Sequence, residues 1–214
     1  MDSVSLLKQR ISLIADLHQF PQKAFGSIES LLHPETFREP DTLFIACSEL
    51  GSAPDNISFA PPERFAILQH LAATLPSKIA CDLYEELSCE GMQQLFETYD
   101  FQHVIICGHL KCQVIQHWLQ PASESEADVG KFRLRFQSGT RDLVDHNYLP
   151  DSAGERFDLM VFEHVLCQID NLLTHPFIFD RVQASTTSIY GWVIDNDSAR
   201  VYGYRPEESA FVLI

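Results

Sequence analysis

Basic residues are scarce in this chain, with 15 Lys and Arg against 30 Asp and Glu and a formal charge of -15. So acidic a surface repels phosphate backbones and anionic membranes at ordinary ionic strength, which argues against nucleic acid as a partner. Long apolar runs are also missing. None approaches the roughly 20 residues needed to span a bilayer. The opening MDSVSLLKQRISLIADLHQF breaks its apolar pattern with charges and Gln, unlike a secretory leader. No G-x-x-x-x-G-K-[ST], G-x-G-x-x-G or G-x-S-x-G motif occurs, which disfavours nucleotide, dinucleotide and esterase chemistry. The simplest expectation is a cytoplasmic protein with no membrane span.

What remains is an ordinary globular composition. The 214 residues, 45% hydrophobic and 21% charged, suffice for one domain with a substantial core. Without an export signal, the six cysteines are expected as thiols or metal ligands rather than a disulfide framework.

Val4, Leu7, Ile11, Ile14 and Leu17 recur at helical spacing before Pro21, and a second helical piece is expected over residues 23–32. Thr42 to Ala46 (TLFIA) is a short apolar run without polar alternation, as in a parallel strand covered on both faces. Gly51, Pro54, Pro61 and Pro62 mark a loop. Beyond it the pattern predicts a helix over residues 63–75, a strand over 78–83 (KIACDL) and a helix over 89–99. A third buried strand at 104–107 (VIIC) and a helix from Cys112 towards Pro121 follow. The small, acidic ASESEADVG reads as a solvated loop, residues 157–175 as a long helix, and TSIYGWVIDNDSARVYGY as a closing hairpin. Alternating strands and helices imply an α/β fold around a mostly parallel sheet.

In such sheets ligands gather beyond the carboxyl ends of the strands, where neighbouring loops diverge. Cys47 follows the first strand there, and His109 and Cys112 follow the third. An H-x-x-C spacing lets both side chains converge on one ion as a loop turns into a helix, and thiolate with imidazole suits Zn²⁺. Three protein ligands leave one tetrahedral position open, as catalytic zinc sites do. Cysteine is also among the residues most often simply buried, so core packing stands beside this reading. Cys81, Cys89, Cys107 and Cys167 are assigned to the core or to inert surface positions. His103, His117, His146, His164 and His175 show no spacing that singles out a proton shuttle. Phe157, Phe162, Phe177, Phe179, Tyr190 and Trp192 are expected to fill core and subunit interface.

FIACSELG resembles the first zinc motif of the β-carbonic anhydrases, a strand ending in Cys-x-Asp-Ser-Arg. VIICGHLKCQVI resembles the second, a strand followed by Gly-His-x-x-Cys-Gly. VLCQIDNLLTHPF and IYGWVIDNDSARVYGY are similar to the family's helix before a His-Pro turn and to its closing hairpin, so the resemblance runs from about Arg38 onward. It implies a zinc ion on Cys47, His109 and Cys112. It implies CO₂ and bicarbonate as substrates of a carbonate dehydratase, a zinc lyase. It implies a homodimer or larger assembly in which residues 1–37 form a helical arm packed on a partner subunit, with 38–214 as the zinc-binding α/β domain.

The chain departs from the family beside the metal. The family's Asp and Arg are here Glu49 and Gly51, the Ser between them is Leu50, and the Gly after the second Cys is Gln113. The Arg-Asn-Ala-Gly-Asn-type segment near the second strand is absent. In the family the Asp orients the attacking hydroxide, and the Arg holds that carboxylate off the metal by a bidentate pair. Glu49 lacks that restraint and has the reach to ligate zinc itself, as hydroxide acceptor or as fourth ligand. Arg64 and Lys111 are the cations that could replace the missing guanidinium. The expectation is weak or absent hydratase activity. The alternatives are a silent homologue whose zinc stabilises the fold while the protein serves a partner in inorganic-carbon handling, and a hydrolase of another small linear substrate.

Overall fold

The computed structural model describes residues 20–21, 24–26, 40–50, 62–84, 87–120, 137–148 and 150–214. Its centre is a six-stranded sheet built from β1 (Thr42–Cys47), β2 (Phe65–His70), β3 (His103–His109), β4 (Ser188–Asp195), β5 (Arg200–Arg205) and β6 (Ala210–Leu213). The strand order is β2-β1-β3-β4-β5-β6. The first four strands run parallel, and β5 and β6 add antiparallel. The helices are α1 (Lys78–Tyr84), α2 (Leu87–Thr98), α3 (Gln113–Trp118), α4 (Asp142–Asn147), α5 (Ala153–Leu173) and α6 (Pro176–Gln183).

The uninterrupted apolar runs of β1 and β3 follow from burial on both faces. Leu43, Ile45, Cys47, Val104 and Ile106 pack towards α5, beside Val165 and Ile169. Phe44, Ala46, Ile105 and Cys107 point the other way and join Tyr190, Trp192 and Ile194 in a second cluster. Ser152 starts α5 by accepting a hydrogen bond from the Glu155 N–H at 3.1 Å. Pro176 starts α6 at a first-turn position where its missing N–H costs nothing.

Two predicted elements exchange character. Residues 63–75, predicted helical, instead form a short 3-10 turn (Pro62–Arg64), strand β2 and a second turn (Leu71–Ala73). FAILQH is too short to display a period, and pairing with β1 decides its conformation. Residues 78–83, predicted as a strand, form α1. Its first turn is capped by Ser77 Oγ, which accepts from the Ala80 N–H at 3.3 Å, and Lys78 pairs with Asp82 one turn on. Cys81 and Cys89, expected as thiols, are joined by a disulfide between α1 and α2, with Cα atoms 6.0 Å apart. Cys107 is buried in β3 as expected.

The predicted helix over 4–17, the loop after Gly51 and the acidic ASESEADVG segment lie outside the described residues. So does most of the helix expected over 23–32, although Phe25 forms a parallel bridge with Ile189. Among the described residues no helix is long and apolar enough to cross a membrane.

Candidate metal centre

Cys47 is the last residue of β1 and His109 the last of β3, the strand beside it. The backbone leaving each strand is pinned. The Ser48 N–H donates to His70 O and the Leu110 N–H to Ile194 O, both at 2.8 Å. Just before His109, a Cβ on Gly108 would lie 2.9 Å from Val165 Cγ2, so glycine here permits the close approach of α5. Lys111 takes a left-handed conformation (φ 61°), which turns the chain between His109 and Cys112. Cys112 then precedes the first residue of α3.

One ligand atom from each of Cys47, Glu49, His109 and Cys112 falls within 4.8 Å of the others. The two sulfurs are 3.8 Å apart, and the Glu49 N–H approaches Cys47 Sγ at 3.5 Å. His109 Nδ1 faces Leu110 O at 3.1 Å, which assigns its proton to Nδ1 and leaves Nε2 as a bare lone pair. That Nε2 is buried and has no hydrogen-bond partner among the described residues. Glu49 Oε2 lies 3.5 Å from it and accepts the backbone N–H of Gln113 at 2.8 Å. Three of the four residues are buried, while the Glu49 side chain keeps 28% of its surface exposed.

The hydrogen bond from Cys112 draws the Cys47 thiol well below its ordinary range, against burial and with help from His109. Cys112 moves the opposite way, because the bond to Cys47, burial and the Cys47 charge all favour its protonated form. Burial opposes a charged His109, yet contact with Cys47 and the charge of that residue raise its pKa overall. Two sulfurs, a bare imidazole nitrogen and a carboxylate oxygen thus face one point, and only a proton or a cation can relieve their mutual repulsion. The donor set suits a borderline-soft divalent metal.

The cleft leading to this point has a volume of about 370 Å³ and is lined by Glu49, His109, Lys111, Gln113, Asp195 and Asp197. Asp158 lies near its carboxylates, and burial together with Asp195 raises its pKa to about 6.

A carbonic anhydrase family model matches residues 42–201. The chain belongs to the β-carbonic anhydrase family. A carbonic anhydrase of Synechococcus elongatus is 27% identical over 194 residues, which cover 88% of this chain and 69% of that relative. The β-carbonic anhydrase CcaA superposes with a TM-score of 0.74 at 23% identity, over 87% of this chain and 88% of its own. A tetrameric β-carbonic anhydrase from Sordaria macrospora gives 0.63 at 14% identity, over 78% and 81%. These structures establish the β-carbonic anhydrase fold for this chain.

Within this family fold the four sequence-predicted site residues, Cys47, Glu49, His109 and Cys112, come together, while Gly51 lies outside the described residues. Neither candidate cation replaces the missing arginine. Arg64 is buried against Asp41, with Nη2 to Oδ2 at 2.6 Å and Nε to Oδ1 at 3.0 Å. Asp41 precedes β1 and Cys47 ends it, so at about 3.3 Å per residue the pair sits roughly 20 Å away. Lys111 is paired with Asp197. The Gln113 backbone N–H has no side-chain signature in the sequence, and Asp195 and Asp197 read there only as a hairpin turn. Several histidines serve the fold. His103 meets the Tyr190 hydroxyl at 3.0 Å, His164 meets Thr140 at 3.0 Å, and His175 meets Pro76 O at 2.9 Å.

Proposed function

We propose that the chain is a zinc-binding member of the β-carbonic anhydrase family in which Cys47, His109 and Cys112 hold the ion. Glu49 takes the fourth position, so reversible hydration of CO₂ to bicarbonate is weak or absent. The spacing of the donor atoms carries this reading. At Zn–S distances of about 2.3 Å, the edge between two sulfurs of a tetrahedron is about 3.8 Å, and at about 2.05 Å the edge between nitrogen and oxygen is about 3.4 Å. The sulfurs here are 3.8 Å apart and His109 Nε2 is 3.5 Å from Glu49 Oε2. Zinc held there supplies Lewis acidity, which serves hydration only if one position is left to water. Each protein group has a defined part in this reading. The Leu110 carbonyl orients the His109 ring, the Gln113 N–H orients Glu49, and the Glu49 carboxylate excludes water from the fourth position.

The bound ion then contributes mainly to folding, as metal energy does in closed sites. In the same reading the protein works as a homodimer or larger assembly, with part of residues 1–37 as an arm on the partner subunit, while Ala24 and Phe25 pack on this chain's own sheet. It acts in inorganic-carbon handling by association with a protein partner. The tetrameric assembly of the Sordaria macrospora relative supports an oligomer.

Stopped-flow CO₂ hydration by zinc-loaded protein from pH 7 to 9 tests the activity. The wild type is expected to be near the buffer rate, and the Glu49→Asp, Gly51→Arg double substitution to gain activity. Substantial wild-type turnover overturns the closed-site reading.

A further inference from the structure

We propose that the backbone N–H of Gln113 is the positioning group that holds Glu49 at the metal site, in the place where the family uses an arginine side chain. The inference rests on the zinc reading above and adds the device that keeps the fourth position closed.

A glutamate on a loop has three side-chain torsions to fix before its carboxylate can stay at one point, and the two candidate cations among the described residues are engaged elsewhere. Arg64 is committed to Asp41 and Lys111 to Asp197. Glu49 Oε2 instead accepts the Gln113 N–H at 2.8 Å and lies 3.5 Å from His109 Nε2. One oxygen therefore meets both the donor and the metal point, which its two lone pairs allow. The donor is rigid, because Gln113 opens α3 and the Gln116 N–H bonds to Cys112 O at 3.0 Å. It is also free to serve, since the first N–H groups of a helix have no partner inside it. A single peptide bond joins this donor to the ligand residue Cys112, so the point to which Glu49 is drawn is fixed relative to the metal. The family's arginine holds its carboxylate away from the metal, whereas this N–H holds Glu49 towards it. The two devices have opposite consequences for access by water.

Gln113→Pro removes the N–H together with the Gln side chain. Proline is favoured at the first helical position, and Cys112 (φ -57°, ψ 116°) already has the extended backbone a residue before proline requires. Gln113→Ala keeps the N–H. Cobalt-substituted proteins are titrated with thiocyanate and followed by visible absorption, and zinc affinity is measured by chelator competition. Wild type and Gln113→Ala are expected to show spectra that thiocyanate does not change. Gln113→Pro is expected to respond to thiocyanate as Glu49→Ala does, and to bind zinc about 10- to 100-fold more weakly, as outer-shell losses do. If Gln113→Pro resembles wild type while Glu49→Ala responds, the positioning role is wrong and the closed site stands. If Glu49→Ala also resembles wild type, the closed site itself falls. Amide hydrogen exchange tests the bond without altering Gln113: exchange there should be at least about tenfold slower in zinc-loaded wild type than in Glu49→Ala. Equal rates overturn the proposal.

Discussion

His164 should make the fold acid-sensitive. Its ring is buried in α5, with Nδ1 3.0 Å from Thr140 Oγ1, Nε2 3.4 Å from Thr74 Oγ1 and the Trp118 ring 6.2 Å away. Burial lowers its pKa from 6.5 to about 4, against a hydrogen bond with the Ala72 backbone that acts the other way. Because the folded pKa lies below the unfolded one, the unfolded chain takes up the proton first. Stability is complete above pH 6.5 and declines as pH falls towards 4. At 1.36 kcal/mol per pKa unit, the loss attributable to His164 between pH 7.5 and 5 is about 2 kcal/mol. For a chain of this length that corresponds to about 4 to 8 °C in Tm. Other groups titrate in the same window, so His164→Gln is the comparison that isolates this one. Urea denaturation of zinc-loaded wild type and variant at pH 7.5 and pH 5 measures it, with the wild type expected to lose about 2 kcal/mol more than the variant. Equal losses would refute the assignment of a neutral, buried imidazole.

Asp158 works in the opposite sense, since burial and Asp195 raise its folded pKa to about 6. Asp158→Asn should therefore stabilise the protein above pH 6, by about 1 kcal/mol once solvent screening at this partly exposed site is discounted, with the gain fading as pH falls from about 6 towards 3.8. Thermal melts at pH 8 and pH 5 check it. Reduction of the Cys81–Cys89 disulfide reopens a short loop with a sequence separation of 8. It should cost about 2.5 kcal/mol in chemical denaturation with reductant, the magnitude loop closure gives for so short a ring. Arg64→Met strands Asp41, which is only 5% exposed, and should cost about 3 to 5 kcal/mol by urea denaturation while leaving zinc stoichiometry intact.

β1 and β3 were legible because both faces are covered, so their sequences are apolar without alternation, and the ligands stand where those runs end. The long helix α5 and the closing hairpin were legible from periodicity and turn residues. β2 was not, because an edge strand of six residues carries too little pattern to outweigh the helical look of its flanks. α1 failed for the same reason in reverse: KIACDL reads as a buried run, yet Ile79 is 69% exposed and the segment is fixed by Ser77 and the bridge to Cys89. At the site, side-chain identities announced Cys47, Glu49, His109 and Cys112. The donor that orients Glu49 belongs to the backbone, which every residue shares, so nothing in the sequence could mark it.

The most direct measurement is a crystal structure of the zinc-loaded protein at pH 8.5, with anomalous data to place the metal. Zinc bonded to Cys47, His109, Cys112 and Glu49 Oε2 is expected, with the Gln113 N–H still on that oxygen. A water in the fourth position with Glu49 turned away would contradict the closed site.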